Sequence, residues 1–220
     1  KAHEYHISAT AFLCAVMMYA LQQLQEEQVP QQKKREAIKV LIPVNLRKMF
    51  ESRTLRNFVL YTTPEILPKL GRYSFEEICR IVHHRMGLEN NPKYMSTLIA
   101  TNVVSERILA VKLMPLFIKN IVMKAVFSAV GERKSCLSLS NLGMVQLPDA
   151  MKPYVERLDF ILGVQATAPY NCGVVSFGDT MYVNFIRNIK EPLLEAKFFG
   201  VLRYFGIPVL TESNRHEGGV

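Results

Sequence analysis

Histidine and cysteine are the first side chains to weigh for chemistry in this chain of 220 residues. Imidazole serves as a general base or metal ligand, and a thiolate as a nucleophile or soft ligand. His83 and His84 are adjacent on a predicted helix. Neighbours on a helix point about 100° apart, so the pair reads as solvated or half-buried and structural. In His3-Glu4-Tyr5-His6 the histidines stand three apart. The zinc helix His-Glu-x-x-His needs four, which puts both imidazoles on one face. This segment therefore reads as an ordinary chain start. Cys14, Cys79, Cys136 and Cys172 show neither metal-ligand nor redox spacing, and three of them fall in apolar runs. Buried free thiols in a reducing compartment are expected, and no metal site. Nothing matches a phosphate-binding loop, a dinucleotide fingerprint or a nucleophile elbow.

These residues must be positioned by regular elements. Ser8 can cap a helix that carries Leu13, Val16, Met17, Ala20, Leu21 and Leu24 at helical spacing and ends in the polar stretch 22–32, before Pro30. Residues 38–44 and 58–62 read as strands on either side of a polar loop with Asn45, Arg47 and Asn57. Ser74 with Glu77 forms a capping box for a helix running to about Gly87. Two more helices are predicted over 93–109 and 113–130, with Pro115 in a first turn. Short β-type runs follow at 136–140, 158–162, 173–177 and 181–186, the last two joined by a tight turn at Gly178-Asp179. A final helix starts at Pro192 and stops at Gly206, with Leu194, Phe198, Val201, Leu202 and Phe205 on one face. The pattern predicts an α/β fold, a two-layer sandwich of a mixed sheet with helices on one face. It is read as one domain over 1–220.

The composition is globular, at 49% hydrophobic and 21% charged, with a net charge of +8. A basic surface attracts nucleic acid, anionic lipid or a phosphate-bearing small molecule, and charge alone does not choose among them. Lys33-Lys34-Arg35 lacks interleaved aromatics and reads as a solvated loop, so no nucleic-acid partner is expected. The apolar stretch 108–130 is interrupted by Lys112, Lys119 and Lys124, which argues against a membrane crossing. The chain is expected to be soluble and cytoplasmic, without a membrane partner. It opens on Lys1 with a helix almost at once, and is expected to be a piece of something longer.

Three segments in order carry a resemblance. Pro43-Val44-Asn45-Leu46-Arg47, followed by Arg56-Asn57-Phe58, resembles the strand–loop–strand of plant-type acyltransferases and condensation domains, where an Arg-bearing loop precedes Gly-Asn-Phe. Ser138-Leu139-Ser140-Asn141-Leu142-Gly143 resembles the Ser-Asn-Leu-Gly strand end of dihydrolipoyl acyltransferase cores. Asp159-Phe160-Ile161-Leu162-Gly163 is similar to the Asp-Phe-Gly-Trp-Gly of plant-type acyltransferases. Arg56 replaces a glycine in the first, and a Gly and a Trp are replaced in the third. Together the chain resembles the C-terminal half of alcohol acetyltransferase-like proteins of the chloramphenicol acetyltransferase/condensation-domain superfamily.

That resemblance implies a reaction. An acyl group moves from a thioester, with coenzyme A as co-substrate and no permanently bound cofactor, to an alcohol or amine. The superfamily's base lies in His-His-x-x-x-Asp-Gly, whereas His83-His84 is followed by Leu88-Glu89 at the Asp and Gly positions. Where a trimeric relative carries Asp-His-Arg, this chain has Phe185-Ile186-Arg187. The catalytic histidine is then expected on an N-terminal half, which is the expected partner beside a small-molecule donor and acceptor. Ser140 is the expected oxyanion donor, with a strand-end hydroxyl satisfying a local backbone group as the alternative. Asn45, Arg47 and Asn57 are expected to contact substrate, Arg47 and Asn57 shaping a tunnel floor. Asp159, Phe160 and Gly163 form an expected structural motif. The rival reading is a non-catalytic scaffold or docking domain of the same fold.

Overall fold

The computed structural model describes residues 1–107, 115–126, 136–164 and 168–214. Ser8 opens helix α1 (Ala9–Gln28) by accepting the Ala11 amide at 3.2 Å. From Ala11 to Ala20 this helix is apolar on nearly every face. Such a helix is stable only when surrounded, and Phe12, Leu13, Cys14, Val16, Met17 and Met18 are all buried. It packs between α3 (Phe75–Glu89) and α6 (Leu193–Tyr204). The capping box at the start of α3 is complete: Ser74 accepts from the Glu77 amide and Glu77 from the Ser74 amide.

The strands are β1 (Ile38–Asn45), β2 (Val59–Thr62), β3 (Glu65–Ile66), β4 (Leu137–Met144), β5 (Tyr170–Phe177) and β6 (Thr180–Arg187). They form one six-stranded sheet in the order β2-β1-β4-β5-β6, with β3 also paired to β1. The β1–β4 and β4–β5 pairs are parallel and the others antiparallel, so the sheet is mixed. Strand side chains alternate between faces. Ile38, Val40 and Ile42 of β1, Leu137 and Leu139 of β4, and Cys172 and Val174 of β5 share one core with α1, α3 and α6. Burying each such aliphatic side chain stabilises the fold by about 1.5–3 kcal/mol. The hairpin turn is Gly178-Asp179, closed by the Phe177–Thr180 pair, and Gly178 adopts φ 57°, which suits the first central position of a two-residue turn.

Several elements differ from the sequence reading. Residues 158–162 form no ladder; the Phe160 amide and the carbonyl of the following Gly163 bond side-chain amides of the sheet instead of strand backbone. The final helix uses Pro192 as its N-cap and begins at Leu193. A short helix, α2 (Leu46–Met49), and strand β3 were not expected. Helix α4 is Pro92–Arg107 and α5 is Leu116–Val126. The predicted helical residues 108–109, 113–114 and 127–130 lie outside the described residues. The expected polar end of α1 hides a core residue. Gln22 is fully buried, and its amide donates to the Tyr73 carbonyl at 2.9 Å and accepts the Tyr73 amide at 3.0 Å. Among the described residues no helix is long and apolar enough to cross a membrane.

Candidate functional site

On β4 the apolar residues Leu137 and Leu139 enter the helix-covered core, so Ser138 and Ser140 point to the opposite face, where both are half-buried. Ser140 pairs directly with Gly173 of β5, and Gly173 with Asn184 of β6. The three residues make one cross-strand row. A Cβ placed on Gly173 would overlap the carbonyl oxygen of Phe160, and would also stand 3.2 Å from its ring. The segment carrying Phe160 therefore runs over this row, on the face that Ser140 shares.

Side chains of the sheet hold this strap in place. The Phe160 amide donates to Asn184 Oδ1 at 3.2 Å, and Asn184 Nδ2 donates to Asp159 Oδ1 at 2.7 Å. Asn171 of β5 donates to the Gly163 carbonyl at 2.9 Å and accepts the Ser138 amide at 3.3 Å. Arg157 grips Asp159 with two hydrogen bonds, of 2.7 and 3.1 Å, and reaches Glu212 at 2.5 Å. Its guanidinium also lies 5.4 Å from the Tyr182 ring centroid. The hydrogen bonds from Arg157, and then from Asn184, hold the Asp159 carboxyl below the usual carboxylate range. Asp159, Phe160 and Gly163, the three residues of the expected motif, each bond to side chains of Arg157, Asn184 or Asn171.

The Ser140 hydroxyl has no hydrogen-bond partner among the described residues, while its backbone is fixed in the ladder. Next to it, Asn141 marks the point where the β4–β5 register shifts. Its Nδ2 donates to Thr10 Oγ1 near the start of α1 at 3.0 Å, and its Oδ1 accepts the Gly143 amide at 2.8 Å. Gly143 takes φ 76°, a conformation that favours glycine, and the β4–β5 register shifts between Asn141 and Met144. Beyond this point Leu142 and Met144 stand 57% and 59% exposed.

β1 runs parallel to β4 with Leu41 opposite Ser138, which puts Pro43 level with Ser140 and Asn45 roughly 7 Å further along, at about 3.3 Å per residue. Asn45 caps α2 by accepting the Arg47 amide at 3.1 Å. Arg47 then folds the β1–β2 loop. Its Nε donates to the Thr54 carbonyl at 2.9 Å and its Nη2 to the Arg56 carbonyl at 2.6 Å. Asn57, at the far side of this loop, is exposed and its side chain has no partner among the described residues. The predicted residues Asn45 and Arg47 therefore stand at the end of β1, Ser140 lies midway along the neighbouring β4, two residues short of the level of Asn45, and the loop that Arg47 closes leads on to Asn57. Asn45 and Arg47 build the loop that Asn57 ends.

Sequence reasoning missed Arg157, Asn171, Gly173 and Asn184. Gly173 carried a signal, since a glycine inside a strand pattern marks close backbone approach. The three polar residues carried none.

The histidine candidates lie elsewhere. His83 and His84 are exposed on α3, ring centroids 5.7 Å apart. His83 borders an open cleft with Glu4, His6, Glu76, Cys79 and Arg80, on the helical layer and away from the Ser140 face. Burial pushes the Cys79 thiol up to about 12, so it is no nucleophile at neutral pH. Cys14 and Cys172 are buried and shifted further in the same direction. Among the described residues no group of three His, Cys, Asp or Glu could hold a metal ion. None of the known family models, curated proteins or solved structures matches this chain.

Proposed function

We propose that the chain is the C-terminal half of an acyltransferase with a chloramphenicol acetyltransferase-like sandwich, helices on one face of its sheet. The complete protein moves an acyl group from a coenzyme A-type thioester to an alcohol or amine. One observation carries the reading: the Ser140 hydroxyl is half-buried, unpartnered among the described residues, and presented by a rigid strand on the face without the helical core. A histidine on the N-terminal half takes the acceptor proton as the acceptor attacks the thioester carbonyl. Ser140 donates to the oxygen that becomes negative in the tetrahedral intermediate. Collapse expels the thiolate, which recovers the proton from the histidine. Leu142 and Met144 beside Ser140, and Leu55 and Val59 beside Asn57, are exposed apolar residues on the side where the other half docks in this reading. Four free thiols, three buried and Cys136 half-buried, fit a cytoplasmic setting.

The scaffold reading draws on Arg47, whose guanidinium is committed to backbone carbonyls instead of standing free for substrate. Thioester turnover with a panel of alcohols and amines separates the two. The acyltransferase reading expects turnover by the complete protein and none by this chain alone. An inactive complete protein, or an active isolated chain that loses turnover on His83→Ala or His84→Ala, contradicts it.

A further inference from the structure

The β1–β2 loop concentrates positive charge just past the end of β1, whose Pro43 is level with Ser140 of the neighbouring β4. Arg47, Lys48, Arg53 and Arg56 fall within ten residues, against one carboxylate, Glu51. Among the described residues none of the four has a carboxylate within ion-pair distance. Elsewhere Arg35, Arg72, Arg80, Arg85, Arg157 and Arg187 each hold one, while Arg203 meets only the Val209 carbonyl. Lys48, Arg53 and Arg56 are exposed. Arg47 is bonded to carbonyl groups of the loop and to Asn45 Oδ1, which are neutral, so its charge stays uncompensated.

Like charges held close together repel, and a folded loop that gathers them gains most from an anion of matching charge density. Guanidinium groups meet phosphate oxygens in paired hydrogen bonds, and lysine adds a point charge. Arg47 fixes the loop by its carbonyls, so Arg53 and Arg56 are displayed on a closed frame. We infer that Lys48, Arg53 and Arg56 form an anion site for the phosphates of a small-molecule donor. As the donor's site it rests on the acyltransferase reading. The donor's phosphates then sit at the loop while its thioester reaches back along β1 to the level of Ser140.

The test measures binding of adenosine 3′,5′-bisphosphate and of inorganic pyrophosphate to this chain by calorimetry. It compares the wild-type chain, an Arg53→Gln/Arg56→Gln double variant, and a Lys33→Gln/Lys34→Gln control at the other basic cluster. Both glutamine exchanges leave the Arg56 carbonyl that Arg47 holds, and an unchanged melting temperature verifies the fold. The expected result is a loss of affinity of ~10-fold or more in the double variant and little change in the control. In the complete protein the double variant raises KM for the thioester ~10-fold with kcat nearly constant. Equal affinities across the three chains overturn the site. So does preferential binding of duplex DNA with a steep salt dependence, which assigns the loop to nucleic acid. A complete protein with no thioester turnover sinks the acyltransferase reading and the donor assignment. Loss of bisphosphate affinity in the double variant still establishes the anion site.

Discussion

Phe160 rests its carbonyl oxygen against Gly173, the residue that stands between Ser140 and Asn184 in one row across the sheet. Backbone meets backbone there, and no side chain fits between them. Gly173→Ala is therefore expected to push the 158–163 strap off the sheet. The expected loss is about 3 kcal/mol, at the upper end of overpacking costs, or a fall in Tm of roughly 6–12 °C for a chain of this size. Gly200→Ala is the control. It lies in α6 with nothing within 4 Å of an added Cβ, and alanine favours a helix by up to about 1 kcal/mol over glycine. Equal melting temperatures for the two variants contradict the close approach.

The strap is also sensitive to acid. The Asp159 pKa is depressed in the fold, chiefly by the hydrogen bonds from Arg157 and next by that from Asn184. A depressed carboxylate contributes its stability in full above its unfolded value, about 3.9, and loses it as pH falls through the folded value. Solvent reaches the pair, so the contribution is small. The expected readout is local. In an NMR titration the Asn184 side-chain amide and the Phe160 amide shift together below about pH 4, and Asp159→Asn abolishes the step. A midpoint at or above the ordinary aspartate range contradicts this account.

Much of the fold was legible because its signals are local. Ser8, the Ser74–Glu77 box and the Gly178-Asp179 turn act over two to four residues, and each is found in place. Residues 158–162 misled because their apolar run resembles a strand, while the Phe160 amide bonds Asn184, 24 residues away, and the carbonyl of the following Gly163 bonds Asn171, 8 residues away. Ser140 reads in the sequence as the end of an apolar strand, whereas β4 runs on to Met144 past a register shift that local apolar pattern does not announce. The strap over the Ser140 row was not legible, since it depends on long-range pairing that only Gly173 hints at. Gln22 was hidden for the same reason: its partner, the Tyr73 peptide, lies 51 residues away.

Gln22→Ala therefore carries a clear expectation. It leaves the amide and carbonyl of half-buried Tyr73 without their protein partner and empties a fully buried side-chain site, at about 1–3 kcal/mol for each group that water does not reach. Urea unfolding should show a loss of about 3 kcal/mol. A loss below about 0.5 kcal/mol, the range of an ordinary surface substitution, contradicts the structural role given to this side chain.

The most direct test of the central claim is the steady-state kinetics of Ser140→Ala in the complete protein. An oxyanion donor acts mainly in the transition state, so its loss appears in kcat and kcat/KM together while KM stays nearly constant. The expected fall in kcat is ~10²–10³-fold, with Tm unchanged. Ser138→Ala, on the same face but two residues back along β4, is expected to retain most activity. Near-full activity of Ser140→Ala, or a lowered Tm without a specific loss of kcat, contradicts the account and leaves the hydroxyl a structural feature of the strand.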